Sequence, residues 1–398
     1  MVAPKLRFKE FDGDWTFKNL SDISNKPLYG MNSAATDFDG ENKYLRITDI
    51  DEESHRFKFT KLSSPSDVIE EKYILQEGDL LFARTGASVG KSYIYDPEDG
   101  KVVFAGFLIK FGLKESVIPY FIFTQTLSEK FNNWVITNSM RSGQPGINAE
   151  EYSKWQIAFT SKLEQTKIAS FLSAVDEKIS QLTQKHELLG QYKQGMMQKL
   201  FSQQIRFKAD DGREFGEWED VNLGEIVKIK SGYSPSKYDL KDKGNIPFLK
   251  VEELNNCVKF QQDSRFYAES FESDLILKNS IIFPKRGAAI LNNKVRILSV
   301  DSLLDSNLMA LIPSKSIFYE YLYYLVTFIE LFKIADTSSI PQINNKHIEP
   351  YSVDLPCLEE QTKIANFLSA IDRKIEVVTQ QIEQAKTWKK GLLQQMFV

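Results

Sequence analysis

The chain reads Gln165-Thr166-Lys167-Ile168-Ala169-Ser170-Phe171-Leu172-Ser173-Ala174-Val175-Asp176 in its middle, and Gln361-Thr362-Lys363-Ile364-Ala365-Asn366-Phe367-Leu368-Ser369-Ala370-Ile371-Asp372 near its end. Residue 165 corresponds to residue 361, an offset of 196 in a chain of 398 residues. The same offset relates Phe201 to Phe397, so within the repeated segment neither copy has gained or lost residues relative to the other. The chain is therefore two copies of one unit, and each copy ends in the same segment.

The repeated segment has the heptad pattern of a coiled coil. Apolar residues follow one another at alternating steps of four and three, without an intervening proline, which places them along one face of a long helix. At about 1.5 Å per residue, roughly 35 residues make a rod of about 50 Å. The simplest cover for each apolar seam is the other helix, antiparallel if the two units sit at opposite ends. The predicted seam consists of Ile168, Leu172, Val175, Ile179, Leu182 and Leu189 in the first helix and Ile364, Leu368, Ile371, Ile375, Val378 and Ile382 in the second.

Two repeated features of these helices suggest a specific interface. Lys193 and Lys389 occupy the same seam position, where a polar residue can fix the register of a coiled coil. Gly195 and Gly391 each cost up to about 1 kcal/mol relative to alanine inside a helix. A cost paid twice suggests the close approach of another backbone, although both glycines can also be inherited from the duplication without a role.

Other polar residues of the helices are expected to be structural. Asp176 and Asp372 recur in both copies and are expected to be solvated, and His186 is expected to be a partly solvated packing residue. The other histidines, His55 and His347, lack neighbouring cysteines, histidines and carboxylates at metal-binding spacing. We therefore assign no metal and no catalytic role to these residues.

The segments before the two helices also repeat, but more faintly. Residues 78–86 resemble residues 279–287, and residues 145–148 resemble residues 341–344, as strand-like runs bounded by turn residues. Helical periodicity appears at 120–131 and 319–332. Each unit is predicted to be a mixed α+β domain followed by a long helix. The predicted boundaries are 1–163 for the first domain, 164–203 for its helix, 204–359 for the second domain and 360–398 for its helix.

Composition indicates a globular protein but leaves its partner open. The chain is 42% hydrophobic and 26% charged, with a formal net charge of −4. Local basic runs count for more than this total: Lys278–Arg296 holds five basic residues and no acidic one. Cys257 and Cys357 are interpreted as free cytosolic thiols. No apolar signal core follows the first residues and no run reaches the roughly 20 residues that span a bilayer, so a cytoplasmic location is expected.

The motifs that could carry chemistry are weak. Gly86-Ala87-Ser88-Val89-Gly90-Lys91-Ser92 has three residues between glycine and Gly-Lys-Ser, whereas a phosphate-binding P-loop has four. A glycine-rich loop facing phosphates or base edges is the better interpretation of this stretch. The sequence also lacks a recognisable adenine-gripping or S-adenosylmethionine-binding motif and a Ser/His/acid set.

Together, the repeated helix and the segment Gly78-Asp79-Leu80-Leu81-Phe82-Ala83-Arg84-Thr85-Gly86 resemble the specificity subunit of type I restriction–modification enzymes. The resemblance implies two target-recognition domains on an antiparallel coiled coil, each reading one half of an asymmetric, split DNA sequence. It also implies docking of two methyltransferase subunits, which would bind S-adenosylmethionine, and of restriction (motor) subunits through them. This chain would itself be non-catalytic and hold no cofactor. Matching helices beside divergent loops fit that division of labour.

Polar residues in the divergent loops are the candidates for DNA contacts, because Arg and Lys recognise guanine and Asn and Gln recognise adenine. Many of them would be phosphate contacts, which position the protein without specifying sequence. The candidates are Arg84, Thr85, Ser88, Lys91, Arg141, Ser142 and Gln144 in the first domain and Lys285, Arg286, Asn292, Asn293, Lys294, Gln342, Asn345 and Lys346 in the second.

Two alternatives remain open at this stage. The first is a coiled-coil assembly scaffold that binds two identical proteins and no DNA. The second is a nucleotide-dependent enzyme that uses residues 86–92.

Overall fold

The computed structural model describes residues 3–141, 143–269, 273–336 and 340–397. The chain forms two compact units. Unit 1 comprises Met1–Gln184 with Gln380–Val398, and unit 2 comprises Lys185–Thr379. Each unit therefore contains one globular domain, the first part of one long helix and the last part of the other.

Unit 1 is built around a four-stranded antiparallel sheet with the order β2-β9-β6-β7. Two further pairs, β1-β10 and β3-β5, are antiparallel, and β4-β8 is parallel. The strands are β1 (Thr16–Asn19), β2 (Leu28–Tyr29), β3 (Ala35–Asp37), β4 (Lys43–Leu45), β5 (Ser63–Pro65), β6 (Asp79–Ala83), β7 (Ser92–Ile94), β8 (Val102–Phe104), β9 (Leu108–Gly112) and β10 (Gln156–Phe159). The helices are α1 (Leu20–Ile23), α2 (Pro119–Gln125), α3 (Glu129–Ser139), α4 (Ala149–Ser153) and the first part of α5 (Lys162–Phe201), with 3-10 turns at Ile47–Asp49, Glu71–Tyr73, Gly86–Ser88 and Pro97–Asp99.

Unit 2 repeats this plan. Its main sheet has the order β12-β19-β16-β17-β14, a second sheet has the order β15-β13-β18, and β11 pairs with β20. The strands are β11 (Glu219–Asn222), β12 (Val227–Ser231), β13 (Ile246–Leu249), β14 (Phe260–Gln261), β15 (Tyr267–Ala268), β16 (Ile281–Pro284), β17 (Arg296–Leu298), β18 (Leu303–Leu304), β19 (Leu308–Pro313) and β20 (Ser352–Leu355). The helices are α6 (Leu223–Ile226), α7 (Tyr319–Ile329), α8 (Asn345–Ile348) and the first part of α9 (Leu358–Met396), with 3-10 turns at Pro235–Lys237, Val251–Asn255, Ala288–Asn292 and Leu331–Ile334.

The central strand of each main sheet is buried on both faces. In β6, Leu80 and Phe82 join the apolar cluster that includes the helices, whereas Leu81 joins a second cluster on the opposite face. Alternate residues of a strand point to opposite faces, so a strand that is apolar throughout needs cover on both sides. This burial explains why 78–86 and 279–287 both carry an uninterrupted apolar run.

Within each unit, the start of one long helix packs antiparallel against the end of the other, as the sequence predicts, and all twelve predicted seam residues are buried or half-buried. In unit 1, Leu172 near the start of α5 shares an apolar cluster with Leu393 near the end of α9. In unit 2, Leu368 near the start of α9 shares a cluster with Leu200 near the end of α5. Both clusters include the core of the globular domain, so the early seam residues also anchor each helix to its domain.

The Glu-Gln pair that opens each repeat is a structural anchor. Gln165 is fully buried, and its amide accepts a hydrogen bond from Ile118 N (3.1 Å) and donates one to Thr160 O (2.7 Å). Gln361 does the same in unit 2, accepting from Phe318 N at 2.8 Å and donating to Pro356 O at 2.8 Å. Buried polar side chains need such partners, so the repeated motif connects each helix to the loop before it and to the domain.

A buried ion pair stands beside each of these glutamines. Glu164 is 1% exposed and receives two hydrogen bonds from Arg7, at 2.7 and 2.8 Å. Glu360 is fully buried and is paired with Arg206 at 2.8 Å. Two hydrogen bonds to one guanidinium make each pairing strong and directional.

The expectation that Asp176 and Asp372 are solvated is wrong. Asp176 is bonded to Lys389 Nζ at 2.6 Å within unit 1, and Asp372 to Lys193 Nζ at 2.6 Å within unit 2. Each aspartate also accepts a hydrogen bond from a tyrosine hydroxyl, of Tyr120 and Tyr324 respectively. The aspartates are covered because the end of the other long helix lies against them.

The close approach of another backbone that was suggested for Gly195 and Gly391 is not made by the described residues of this chain. A Cβ atom added to either residue would meet no described atom within 4 Å. Within this chain both glycines therefore leave open space beside the helix.

Candidate nucleic-acid interface

Two loops meet at the end of the central strand in each unit. In unit 1, Ile147 N donates to Arg84 O at 2.9 Å and Gly86 N donates to Pro145 O at 3.0 Å. These bonds bring the loop that carries Arg84, Thr85 and Ser88 beside the loop that carries Gln144. All four residues are among those that the sequence predicts as candidates for DNA contacts in the first domain.

Unit 2 has the same backbone frame. Ile343 N donates to Lys285 O at 2.9 Å and Gly287 N donates to Pro341 O at 2.8 Å. Gly86 and Gly287 have φ of 77° and 78°, in the left-handed region that favours glycine. The two frames have the same pattern of backbone hydrogen bonds but carry different side chains.

A tight backbone approach completes the frame and brings in residues that sequence reasoning missed. A Cβ on Gly30 would lie 2.2 Å from Ala105 O, and one on Gly232 would lie 2.2 Å from Asp305 O. Only glycine permits this contact, which places Tyr29 beside the turn that carries Phe107.

In unit 1, Arg84 lies between these two aromatic residues. Its guanidinium carbon is 5.1 Å from the ring centre of Tyr29 and 5.9 Å from that of Phe107. Arg84 N donates to Phe107 O at 3.0 Å, and Ala149 N donates to the Tyr29 hydroxyl at 3.1 Å. Phe107 is nevertheless 60% exposed, so the group presents both a cation and an apolar ring to solvent.

The corresponding position in unit 2 has different chemistry. Lys285 replaces Arg84, and its backbone N donates to Asn307 O at 2.9 Å, as Arg84 N does to Phe107 O. Burial, together with the neighbouring positive charge of Arg286, lowers the pKa of the Lys285 amine. The matching frames therefore present Arg84 and Phe107 in one unit and Lys285 and Asn307 in the other.

The structure separates several other candidates from the loop surface. Lys91 is 7% exposed, and its ammonium is bonded to Ile50 O at 3.2 Å and to Glu52. Gly86–Ser88 form a short 3-10 turn before β7, and the bonds of Lys91 leave no free lysine in residues 86–92 for a phosphate. Arg141 is exposed but paired with Glu151.

The remaining candidates of unit 2 lie on two short helical segments or in the loops beside them. Asn292 ends the 3-10 turn beside Arg286 and is exposed, whereas Asn293 is half-buried and donates to Thr327 O at 2.9 Å. Lys294 is bonded to Asn255. Gln342 lies in the frame, and Asn345 and Lys346 are exposed on α8. Ser142 lies outside the described residues.

Other kinds of site do not form in the part of the chain that the structure describes. No group of three or more His, Cys, Asp or Glu residues there is arranged to hold a metal ion, and none of the described helices is long and apolar enough to cross a membrane. Cys257 and Cys357 are both free thiols.

A model of the type I restriction–modification DNA specificity domain matches this chain twice, at residues 12–189 and 216–387. The chain belongs to the type I restriction–modification specificity family. The two matched segments contain the two loop frames, so this specificity protein has two target-recognition domains, as the sequence predicted.

Two curated relatives match this specificity protein over almost its whole length. It is 25% identical over 414 residues to the type I restriction enzyme MjaVIII specificity subunit of Methanocaldococcus jannaschii, covering 97% of this chain and 94% of the relative. It is 27% identical over 427 residues to the putative MjaX specificity subunit of the same organism, covering 98% and 94%.

Solved structures show the same fold. The S subunit of a type I restriction–modification system from M. genitalium matches with a TM-score of 0.61 and 16% identity, over 100% of this chain and 99% of that one. A chain from a structure concerned with complex assembly and conformational transition of the type I system matches with a TM-score of 0.57 and 17% identity, covering 96% and 95%.

Proposed function

We propose that this chain is the non-catalytic DNA-reading subunit of a type I restriction–modification complex. Each target-recognition domain reads one half of an asymmetric, split DNA sequence through the loops that meet at the end of its central strand. The observation that carries the proposal is the repeated frame with different side chains, Arg84 and Phe107 against Lys285 and Asn307. A protein that reads two different half-sites needs one scaffold with two different surfaces.

The two long helices dock two identical methyltransferase subunits in this proposal, and restriction subunits join through them. Support comes from large apolar side chains exposed at the same place in both repeats: Tyr192 is 51% exposed and Trp388, at the offset of 196, is 53% exposed. Exposed aromatic residues are typical anchors of protein interfaces. The partner subunits would bind S-adenosylmethionine, and the complex would act in the cytoplasm.

The proposal is tested by methylation assays on the purified chain and its methyltransferase partner. With S-adenosylmethionine, the complex is expected to methylate adenine within one split sequence, whereas the chain alone methylates nothing. Gel shifts with random and target duplexes then separate sequence-specific binding from general affinity for DNA. A complex that assembles but binds no DNA would favour the scaffold alternative, and methylation by the chain alone would overturn the non-catalytic role.

A further inference from the structure

Arg84 is a half-buried arginine that contacts aromatic rings and has no carboxylate partner among the described residues. Its Nε atom is buried without a hydrogen-bond partner, and no carboxylate among the described residues pairs with the guanidinium. The part-buried Arg7 and Arg206, by contrast, each hold a buried glutamate. A charged group that is partly removed from water without partners costs free energy. A ligand cannot reach the buried Nε, but acceptors placed beside the terminal nitrogens of Arg84 would give the guanidinium polar partners that the domain does not supply.

The aromatic neighbours fix where the guanidinium lies. Tyr29 is held by the hydrogen bond from Ala149 N, and Phe107 is tied through its backbone to Arg84. Cation–π attraction to the two rings restrains the side chain before any ligand arrives. Because Phe107 is also largely exposed, the ligand beside Arg84 meets an apolar ring as well as donors.

We propose that Arg84, Tyr29 and Phe107 form a subsite for one guanine of the half-site read by unit 1. This inference rests on the proposed DNA-reading function. The guanidinium donates to O6 and N7 of the guanine, and Phe107 packs against that base or its neighbour. Phosphate oxygens would also satisfy the guanidinium, but a phosphate offers nothing to an exposed phenylalanine ring, whereas a base edge offers both acceptors and apolar surface.

Unit 2 lacks this subsite and serves as an internal comparison. Its equivalent frame carries Lys285 and Asn307, and Ser231 precedes Gly232 where Tyr29 precedes Gly30. Lys285 can donate to a guanine as Arg84 does, but it has Ser231 and Asn307 in place of the two aromatic residues, and an asparagine suits adenine better than guanine. The guanine subsite therefore belongs to unit 1, and its loss affects only one half of the target.

The test uses the complete complex with the methyltransferase subunits and a duplex whose two half-sites are known from its methylation pattern. Binding is measured for wild type, Arg84→Met and Phe107→Asn, with Lys285→Met as the matched control in unit 2. Each guanine of both half-sites is replaced in turn by another base and by 7-deazaguanine, which lacks the N7 acceptor. Thermal melting of each variant shows that it is folded.

For wild type, one guanine is expected to be discriminated from other bases by about 5- to 150-fold, the range of a bidentate contact. Replacement of that guanine by 7-deazaguanine lowers affinity in wild type but not in Arg84→Met. Phe107→Asn weakens binding at the same position or the next one, and Lys285→Met changes only the other half-site. If Arg84→Met proves unstable, the test rests on Phe107→Asn. The Phe107 ring is 60% exposed, so its removal leaves no cavity in the core of unit 1.

Three results would overturn the subsite. The first is a unit 1 half-site without a guanine. The second is an Arg84→Met complex that still discriminates guanine from the other bases. The third is an Arg84→Met complex that binds every duplex equally more weakly, with a salt dependence lowered by about one phosphate contact. A wild-type complex that discriminates no sequence at all would instead refute the proposed function itself.

Discussion

Lys193 Nζ lies 2.6 Å from Asp372 Oδ1, and the residues at the equivalent positions of the two repeats make the same contact, with Lys389 Nζ 2.6 Å from Asp176 Oδ1. In each case the lysine comes from the end of one long helix and the aspartate from the start of the other. All four side chains are between 15% and 24% exposed. Because each lysine fills a seam position, its ion pair with the aspartate selects one register of the two helices. In a shifted register the lysine would lose its aspartate partner.

The first prediction concerns this pair. Asp372→Asn is expected to destabilise unit 2 by about 1–3 kcal/mol, because Lys193 keeps its charge in a partly buried place without a full partner. The exchanged double variant Lys193→Asp with Asp372→Lys is expected to recover part of that loss. Hydrogen exchange of peptides from the two long helices measures both effects.

The exposed neighbour Arg373 supplies the control for the Asp372 experiment. Arg373→Ala removes a charge one residue away and is expected to change stability by less than about 0.5 kcal/mol. If Asp372→Asn and Arg373→Ala have equal effects, the ion pair does not set the register.

The second prediction concerns the buried carboxylate of Glu164 and its dependence on pH. Burial raises the pKa of Glu164, but hydrogen bonds from Arg7 and Thr160 outweigh it, so the pKa lies below its usual value. Glu164 therefore stabilises unit 1 above the pKa it has in the unfolded chain, and this contribution is lost as the pH falls through its folded pKa. Arg7→Ala leaves the buried carboxylate without its cation, at a cost of about 3–5 kcal/mol near neutral pH.

Protonation of Glu164 should relieve much of the cost in the Arg7→Ala variant. The difference in stability between wild type and variant is thus expected to be smaller at pH 4 than at pH 7. Urea unfolding followed by tryptophan fluorescence reports mainly on unit 1, which contains Trp15, Trp134, Trp155 and Trp388. Lys101→Ala, which breaks an exposed pair with Glu41 in the same unit, is the control. A difference that does not change with pH would contradict this account.

The fold was predictable because heptad spacing and internal repetition are regular along the sequence. The covered aspartates were not predictable, because spacing along one helix does not show which of its polar positions another helix covers. Likewise, the sequence Gly-Lys-Ser at residues 90–92 resembles a phosphate-binding loop, and only the structure shows that Lys91, just before β7, is buried in the domain. Tyr29 and Phe107 were missed because their proximity depends on a contact between Gly30 and Ala105, 75 positions apart.

The third prediction concerns the number of docked subunits. If Tyr192 and Trp388 anchor two identical partners, Tyr192→Ala and Trp388→Ala should each reduce the complex from two methyltransferase subunits to one, and the double variant should bind none. Native mass spectrometry gives the stoichiometry directly. Leu188→Ala is the matched control, since Leu188 is 56% exposed on α5 and Gln384 takes the corresponding position on α9. Two subunits bound to the double variant would place the docking surface elsewhere.

The last prediction concerns the helices as the spacer between half-sites. Removing residues 181–187 from α5 and 377–383 from α9 deletes one heptad at the same place in both repeats, and leaves the Lys193–Asp372 and Lys389–Asp176 pairs in place. Seven residues at about 1.5 Å each shorten the helices by about 10 Å, or about three base pairs of DNA. The shortened complex should methylate the same two half-sites with a shorter spacer, as measured on a library of duplexes that differ only in spacer length. A deletion in one helix alone is expected to abolish assembly, because the ion pairs then demand different registers. An unchanged spacer preference in the double deletion would show that the helices do not set the distance.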